Sequence, residues 1–287
     1  MEHPNLTAYE NVEQLTNFTP SEFQEYCEAK LASGEPYADF IRKYCWGSEW
    51  LGKICEIGSG SGRLLFHLER EGLLASGIGY ELSASRHQFA EKFKEFLHSQ
   101  KVINRIGNVL DAPPLENYDL VIGIDLVFQL IAPLYPEAQT EILSWINGSL
   151  KTGGYLLLEL MDFQTVIHLM NLSANGVYHW WEEFPIYDPW EFGLARFSLS
   201  PDQDIVWEKR FVKRGSVERS SFTNILKNFS PQSMVKILES AGFSARVFSK
   251  DDSGIKLEPG EFIVLAKKVN GLKESCGQRF ENPTGGV

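Results

Sequence analysis

The sequence predicts an α/β protein with a mostly parallel sheet, on two observations. From Lys53 onward, short apolar runs alternate with segments whose apolar residues recur three or four positions apart, the order typical of βαβ units. One apolar run continues into three glycines within five positions, in ICEIGSGSGRLLFHL (residues 54–68). This stretch indicates a buried strand, a tight turn and the start of a helix.

The alternation predicts seven strands and four helices. The strands are KICEI (53–57), GIGYE (77–81), VINRIG (102–107), YDLVIGI (118–124), YLLLEL (155–160), FSARVFS (243–249) and EFIVLAKK (261–268). The helices are RLLFHLEREG (63–72), ASRHQFAEKFKEFLHSQ (84–100), PEAQTEILSWINGSL (136–150) and SPQSMVKILESAG (230–242). We expect Ser230 to cap the fourth helix, Pro231 to start it and Gly242 to end it. The turn KTGG (151–154) is expected to end the third helix.

Two regions depart from this alternation. The first 50 residues are predicted to form an amphipathic helical cover, with Thr19 as an N-cap. Residues 163–222 are rich in aromatic and β-forming residues, which predicts an inserted antiparallel β-layer with a hairpin loop at SPDQD (200–204). The predicted organisation is a cover (1–50), a core (51–162 and 223–269), the insertion (163–222) and a loosely held tail (270–287).

Composition and charge exclude several functional classes. Hydrophobic content of 43% and charged content of 23% in 287 residues are typical of a soluble globular protein. The net charge of −11 argues against a nucleic-acid partner, because neutralising phosphates requires clustered Lys and Arg. The sequence shows neither a signal segment nor a run of about 18 apolar residues, so we expect no membrane contact. The four cysteines form no CxxC pair, so we expect a cytoplasmic protein without a metal site, and a homodimer is left open.

The glycine turn indicates a ligand with a positive amine. Gly58, Gly60 and Gly62 form GxGxG, while Arg63 occupies the third glycine position of the dinucleotide fingerprint. Glu56 stands two residues before the first glycine, where a carboxylate would repel a pyrophosphate and attract an ammonium group. S-adenosylmethionine has that ammonium and no phosphate, and its carboxylate can use Arg63 or the helix N-terminus. The alternative is a tight packing turn without a ligand.

These motifs resemble those of the class I S-adenosylmethionine-dependent methyltransferases over residues 37–268. EIGSGSGR is similar to the family's first motif, and GIGYELS to its second, in which an acidic residue ends the second strand. That residue is Glu81, whose carboxylate can accept hydrogen bonds from both ribose hydroxyls, with a solvated strand-end Glu as the alternative.

The third and fourth motifs also resemble the family pattern. GNVLDAP follows the third strand, with Asn108 in place of the usual Asp and Asp111 as an alternative adenine contact. YDLVIGIDLVFQLI places Asp125 at the end of the fourth strand, and KTGGYLLLELM precedes the fifth with Thr152 in place of Pro. The resemblance implies that the cofactor is bound by Glu56, Gly58, Ser59, Gly60, Gly62, Arg63, Glu81, Leu82, Asn108, Val109, Asp125 and Leu126.

The resemblance also implies an architecture. The fold would be Rossmann-like, with seven strands in the order 3-2-1-4-5-7-6, the seventh antiparallel, and helices on both faces. The N-terminal cover and the β-rich insertion would lie over the carboxyl ends of the strands as a lid, where open α/β sheets bind ligands. Tyr9, Tyr37 and Tyr44 are candidates for closing over the cofactor.

The acceptor side has weaker signals. A methyl group is expected to pass by in-line displacement to O or N of a small organic molecule. His179 and His168 are candidate bases, with ordinary surface histidines as the alternative. Candidate acceptor contacts are Gln129, Trp180, Trp181 and Tyr187, with a plain β-layer as the alternative for the aromatic residues. Methylation of a peptide side chain and a cofactor-binding scaffold without transfer activity also remain open.

Overall fold

Two sheets organise the computed structural model, which describes residues 3–10, 12–46, 51–114, 117–216 and 219–269. The strands are β1 (Gly52–Ile57), β2 (Leu74–Glu81), β3 (Val102–Ile106), β4 (Tyr118–Gly123), β5 (Leu150–Met161), β6 (Tyr178–Glu183), β7 (Trp190–Leu199), β8 (Ile205–Lys213), β9 (Arg219–Leu226), β10 (Phe243–Phe248) and β11 (Glu261–Lys268). The central sheet has the order β3-β2-β1-β4-β5-β11-β10. In this sheet β11 runs antiparallel to both β5 and β10, and the other strand pairs are parallel. Numbered within this sheet alone, the order is the predicted 3-2-1-4-5-7-6.

Helices cover both faces of the central sheet. They are α1 (Pro20–Ala32), α2 (Glu35–Ile41), α3 (Arg63–Arg70), α4 (Ala84–Leu97), α5 (Val127–Ile131), α6 (Ala138–Ser149), α7 (Gln164–Leu172), α8 (Pro231–Ser240) and α9 (Lys250–Ser253). On one face, α1 to α4 pack against residues such as Ile54 and Leu157. On the other face, α5, α6 and α8 pack against residues such as Val121 and Leu158. The predicted α/β fold is confirmed.

Helix ends follow the predicted capping residues. Thr19 caps α1 and forms a reciprocal pair with Glu22, whose Oε2 lies 2.7 Å from the Thr19 amide nitrogen. Ser230 caps α8 through its hydroxyl, Pro231 begins the helix, and Gly242 follows it at a φ of +87°. These local signals operate within one turn of chain, so the sequence alone predicts them.

The insertion forms a four-stranded antiparallel sheet in the order β6-β7-β8-β9, which we call the lid sheet. The predicted loop at 200–204 connects β7 to β8. The predicted boundaries need correction, because α7 occupies the start of the insertion and β9 continues to Leu226, past 222. One face of the lid sheet packs against α7 and Leu126, and we call it the inward face. Its buried members include Phe197, Ile205 and Leu226.

Two further predictions are corrected. The KTGG segment is part of β5, which runs without a break from Leu150 to Met161, although Gly153 has a φ of +76°. The cover is helical only from Pro20 onward. Before α1, residues 3–10 and 12–18 contain short 3-10 turns at Pro4–Leu6 and Leu15–Asn17, and we call these residues the strap.

Some expectations concern residues whose structure is not described. The tail 270–287 lies outside the described residues, as do residues 1–2, 47–50 and position 11 of the cover. Within the described ranges, no helix combines the length and apolar character that crossing a membrane requires.

Candidate functional site

A cavity of about 250 Å³ opens at the carboxyl ends of β1, β2 and β4. Six of the twelve predicted cofactor contacts line it, namely Gly58, Glu81, Leu82, Asn108, Val109 and Asp125. The strap contributes Asn5, Leu6 and Tyr9 to the opposite wall. The cavity therefore lies between the edge of the parallel sheet and a segment from the chain's N-terminal region.

The glycine turn has a backbone that other residues would strain. Gly58, Gly60 and Gly62 have φ values of +67°, +56° and +76°. A Cβ on Gly58 would lie 2.4 Å from Cγ2 of Val127, and one on Gly60 would lie 2.7 Å from Nη2 of Arg86. Gly62 caps α3 without a side-chain hydrogen bond, so the N-terminus of this helix stays available to a negative group.

Glu81 fixes this turn against the end of β2. Its Oε2 accepts a hydrogen bond from the Gly60 amide at 2.7 Å, and its Oε1 accepts one from the Ser83 amide at 2.8 Å. The guanidinium of Arg86 adds a positive charge, with Nη1 3.9 Å from Oε2. Each carboxylate oxygen has more than one acceptor site, so Glu81 can still accept ligand hydroxyls.

Glu56 is a buried carboxylate with an unpartnered atom. Its side chain is 1% exposed, and its Oε2 has no hydrogen-bond partner among the described residues. Burial raises the pKa of Glu56 to about 8, and the positive charge of Arg63 only partly opposes this effect. A carboxylate in this condition fits a ligand ammonium group, which would supply the missing partner and stabilise the charged form.

Arg63 joins the glycine turn to the loop after β4. Its Nη2 lies 3.2 Å from both carboxylate oxygens of Asp125, and its Nη1 donates to Ser33 Oγ at 2.7 Å. Burial alone would raise the pKa of Asp125, but the charges of Arg63, Lys30 and Arg86 lower it below its ordinary value. Asp125 and Leu126 have φ values of +54° and +63°, a strained conformation typical of functional loops.

A second buried acid lies near this ion pair. Tyr37 Oη donates a short hydrogen bond to Oε2 of Glu159, which stands near the end of β5. Burial and the charge of Asp125 raise the pKa of Glu159 to about 8. Three acidic side chains on this side, Asp125, Glu56 and Glu159, therefore lie near the guanidinium of Arg63.

The predicted adenine contacts are at the cavity wall. Asn108 Oδ1 accepts a hydrogen bond from the Leu110 amide at 3.1 Å and so caps a short turn over Val109–Asp111. The alternative, Asp111, is exposed and does not line the cavity. Asn108 is therefore the better placed of the two.

The other six predicted cofactor contacts do not line the cavity. Glu56, Gly60, Gly62 and Arg63 form the turn and the charged cluster beside it. The Ser59 side chain is used in packing, because its Oγ is directed at β2, where a Cβ on Gly79 would lie 2.5 Å away. The Leu126 side chain packs with the inward face of the lid sheet. A cofactor contact of either residue through its backbone stays a prediction.

The predicted acceptor residues are mostly placed elsewhere. His168 and His179 are exposed and do not line the cavity, so the structure adds no support for a base role, which stays a prediction. Gln129 is fully buried, and its side-chain amide is already used. Its Nε2 donates to the carbonyls of Met161 and Lys227, and its Oε1 accepts from the Met161 amide. Gln129 is a structural link rather than a free acceptor contact.

The three aromatic candidates for acceptor contacts lie in different parts of the structure. Trp181 is 53% exposed and stacks on Phe192, on the outer face of the lid sheet. Trp180 is half-buried and packs on the inward face, and Tyr187 is half-buried against Tyr26. Only Trp180 therefore lies on a lid surface that faces the core.

Of the three tyrosines, only Tyr9 lines the cavity. Tyr37 bonds to Glu159, and Tyr44 packs on Phe40 and Phe248, away from the cavity.

Sequence reasoning missed the anchors of the strap. The side chain of Asn5 donates to the carbonyls of Leu130 and Ile225 at 2.7 and 2.6 Å and accepts from the Ile225 amide at 2.7 Å. Glu13 is buried and bonds to Nε of Arg86 at 2.8 Å. Burial would raise the pKa of Glu13, but Arg86, Lys30 and Tyr26 hold it at about 2. The contacts of Asn5 and the Glu13–Arg86 ion pair join residues more than 70 positions apart, and no local pattern marks them.

Comparisons with known proteins agree with this geometry. The family model described as a methyltransferase domain matches residues 23–246. CcbJ methyltransferase from Streptomyces caelestis is similar at a TM-score of 0.66, with 15% identity over 92% of this chain and 99% of its own. An S-adenosylmethionine-dependent methyltransferase from Clostridium acetobutylicum is similar at 0.66, with 14% identity over 82% and 92%.

CalS10 from Micromonospora echinaspora, an amino pentose methyltransferase solved with S-adenosylmethionine bound, is similar at 0.62, with 14% identity over 88% of this chain and 98% of its own. Among curated proteins, none matches the sequence. The solved structures support the fold, and the family model covers more than half of the chain. The chain thus belongs to the methyltransferase-domain family, and its cofactor is S-adenosylmethionine.

Proposed function

We propose that this methyltransferase transfers a methyl group to an oxygen or nitrogen atom of a small organic acceptor. The observation that carries the proposal is the cover that the strap forms over one side of the cavity. Asn5 bonds to the backbone of β9 as a neighbouring strand would, and Tyr9 lies over the cavity. An acceptor that reaches the cofactor under this cover must be small, because a peptide needs an open groove.

The residues present fit the cofactor. Glu81 would accept the ribose hydroxyls, and Asn108 with the Val109 amide would contact the adenine. Glu56, with its unpartnered Oε2, would bind the ammonium group. The cofactor carboxylate would lie at the N-terminus of α3 beside Arg63. When bound, S-adenosylmethionine supplies an electrophilic methyl group on a sulfonium.

The chain's own contribution is positioning and exclusion of water. A displacement at a sulfonium is accelerated when nucleophile and methyl group are held in line, and water in the site would compete. The strap forms one wall of the cavity, and the glycine turn allows close approach of the backbone.

Two solved structures add support for a small acceptor, by their names only. CalS10 is an amino pentose methyltransferase, and KedS8 from a Streptoalloteichus species is a sugar N-methyltransferase with a TM-score of 0.57 and 16% identity, covering 83% of this chain and 87% of its own. At such low identity these similarities support the fold alone. The proposal of a small acceptor therefore rests on the cover that the strap forms over the cavity.

The test uses S-adenosylmethionine labelled in its methyl group. The purified chain is incubated separately with the small-molecule and the protein fractions of one cell extract. We expect label in small molecules, lost with Glu81→Ala and retained with Glu183→Ala, which changes an exposed glutamate on β6. Label in proteins alone would support a peptide acceptor instead. Tight cofactor binding without transfer to either fraction would support a scaffold.

A further inference from the structure

Three buried polar atoms on the inward face of the lid sheet have no hydrogen-bond partner among the described residues, and one of them, Oε1 of Glu182, forms an ion pair with Lys209. The other two lie on neighbouring strands. They are the indole Nε1 of Trp207 on β8 and the amide Oδ1 of Asn224 on β9. Trp207 and Asn224 are directly opposite each other in the strand register, so their side chains project from the same face as neighbours. One is a donor and the other an acceptor, and both are shielded from solvent.

This pair is linked to the cofactor cavity by one residue. Asn224 is fully buried, and its Nδ2 donates to Oη of Tyr9 at 2.9 Å. Tyr9 lines the cavity from the strap side. A group bound between Trp207 and Asn224 would therefore lie close to the wall of the cavity, on the side that the strap covers.

The chemistry of the pair selects a neutral group. A buried donor or acceptor without a partner is unfavourable, so a ligand that both accepts from Nε1 and donates to Oδ1 would bind favourably. Lys209, next on this face of β8, is paired with Glu182 of β6. Glu182 extends past Gly193, where a Cβ would lie 3.0 Å from its Oε1. Because this ion pair is internally neutral, no unpaired charge beside Trp207 calls for an ionic ligand.

Aromatic rings surround the pair. Trp207 stacks on Phe197, with ring centroids 5.6 Å apart and planes 17° apart. Phe222 contacts both Trp207 and Tyr9, at centroid distances of 6.5 and 5.0 Å. These rings favour a planar or apolar body attached to the bound group.

We propose that Trp207 and Asn224 bind a neutral hydroxyl group of the acceptor, with Trp207 Nε1 donating to it and Asn224 Oδ1 accepting from it. The acceptor class is then a hydroxyl-bearing molecule with a planar or apolar body. This inference rests on the proposed function, because it assigns a binding site for the small acceptor. The hydroxyl orients the acceptor, and the two residues transfer no proton.

The test uses three matched probes in place of the acceptor. Phenol can accept and donate, anisole can only accept, and toluene can do neither. The full chain is saturated with S-adenosylhomocysteine, and the indole N–H resonances are followed by NMR, with that of Trp207 identified by its absence in Trp207→Phe. We expect phenol to shift this resonance saturably and to bind at least about fivefold more tightly than toluene, with anisole between them.

Two variants and a control complete the design. Trp207→Phe retains a ring, and Asn224→Leu retains much of the volume; each should lower phenol affinity, measured by equilibrium dialysis, to near that of toluene. Thr223→Val, one position from Asn224 and on the outer face, should leave all three affinities unchanged. Asn224→Leu also removes the bond to Tyr9, so Trp207→Phe is the variant that decides.

Three results would overturn the proposal: equal affinities for the three probes, no shift of the Trp207 resonance, or wild-type phenol affinity in Trp207→Phe. Any of them would mean that Trp207 and Asn224 do not bind the acceptor hydroxyl. Phenol binding requires no methyl transfer, so this outcome is distinct from failure of the labelling experiment above.

Discussion

The carboxylate of Glu81 accepts a hydrogen bond from the backbone amide of Gly60 at 2.7 Å. This contact joins the end of β2 to the glycine turn after β1. The carboxylate proposed to bind the ribose therefore also holds the turn against which the rest of the cofactor would lie. A change at either residue is therefore expected to disturb both the turn and the ribose contact. A second glycine with a similar positive φ serves as the control for backbone strain.

Gly60→Ala should weaken binding of S-adenosylhomocysteine at least about tenfold, or ~1.4 kcal/mol. The new Cβ would lie 2.7 Å from Nη2 of Arg86, at a φ of +56°. Gly72→Ala is the control, because Gly72 has a φ of +71° but no atom within 4 Å of an added Cβ. Calorimetry should find unchanged affinity for Gly72→Ala, with lower thermal stability from backbone strain. Equal affinities in both variants would contradict the predicted role of the turn.

Glu56 should make cofactor binding pH-dependent. Burial raises its pKa to about 8, so the carboxyl group is mostly protonated at pH 6. An ammonium ligand favours the ionised form, so binding releases a proton, and affinity should rise with pH, by up to about tenfold per unit, until about pH 8. Calorimetry of S-adenosylhomocysteine in buffers of different ionisation enthalpy measures this proton. Glu56→Gln should lose both the proton release and this part of the pH dependence.

The same shift has a stability signature without the cofactor. A folded-state pKa above the unfolded value of 4.5 favours folding fully below about pH 4.5. That contribution is lost as the pH rises to about 8. Glu159 also has a raised pKa and makes the same kind of contribution. Glu56→Gln should therefore reduce the loss of stability as the pH rises, without abolishing it. If the melting temperatures of wild type and Glu56→Gln kept a constant difference between pH 5 and 8, the assigned shift would be wrong.

Asn5→Ala should speed release of the cofactor. Its side chain makes three hydrogen bonds, to Leu130 and Ile225, and these hold the strap over the cavity. Loss of bonds worth about 1 kcal/mol each should raise the dissociation rate of S-adenosylhomocysteine at least about fivefold in stopped-flow experiments. Gln24→Ala, which changes an exposed residue of α1, is the control. An unchanged rate in Asn5→Ala would mean that the strap does not limit release.

Gln129→Leu should destabilise the fold by about 3 kcal/mol. It would leave the Met161 amide and two carbonyl groups without their present partners in a buried region. Denaturant unfolding measures the loss, and cofactor affinity at low temperature should stay near the wild-type value. A variant with wild-type stability would restore the acceptor-contact interpretation of Gln129.

Removing both exposed histidines should have little effect on methyl transfer. His168 and His179 are exposed and do not line the cavity. The double variant His168→Ala/His179→Ala is expected to retain activity within about a factor of two, because general-base catalysis contributes 10²-fold or more where it operates. A loss of that size, measured with the labelled cofactor, would mean that one of the two histidines acts as a general base.

The cofactor side of the site was predictable because its signals are local. Glu56 and Glu81 lie at the carboxyl ends of β1 and β2, the three glycines follow β1, and parallel strands bring their carboxyl ends to one edge. The acceptor side was not. His179 and Trp181 have residue types suited to chemistry, but alternation along β6 places both on the outer face. Which face of an inserted sheet faces the core depends on its packing against α7 and Leu126.

The sequence by itself determined the α/β alternation, the glycine turn, the helix caps and the acids at the strand ends, because each depends on neighbouring residues and on the period of a strand or helix. Tertiary structure alone decided the strap, the buried amide of Gln129 and the neighbouring Trp207 and Asn224. Those features join parts of the chain that are far apart in sequence. Their partners are selected by burial and hydrogen bonding in the folded protein, and no local pattern encodes that choice.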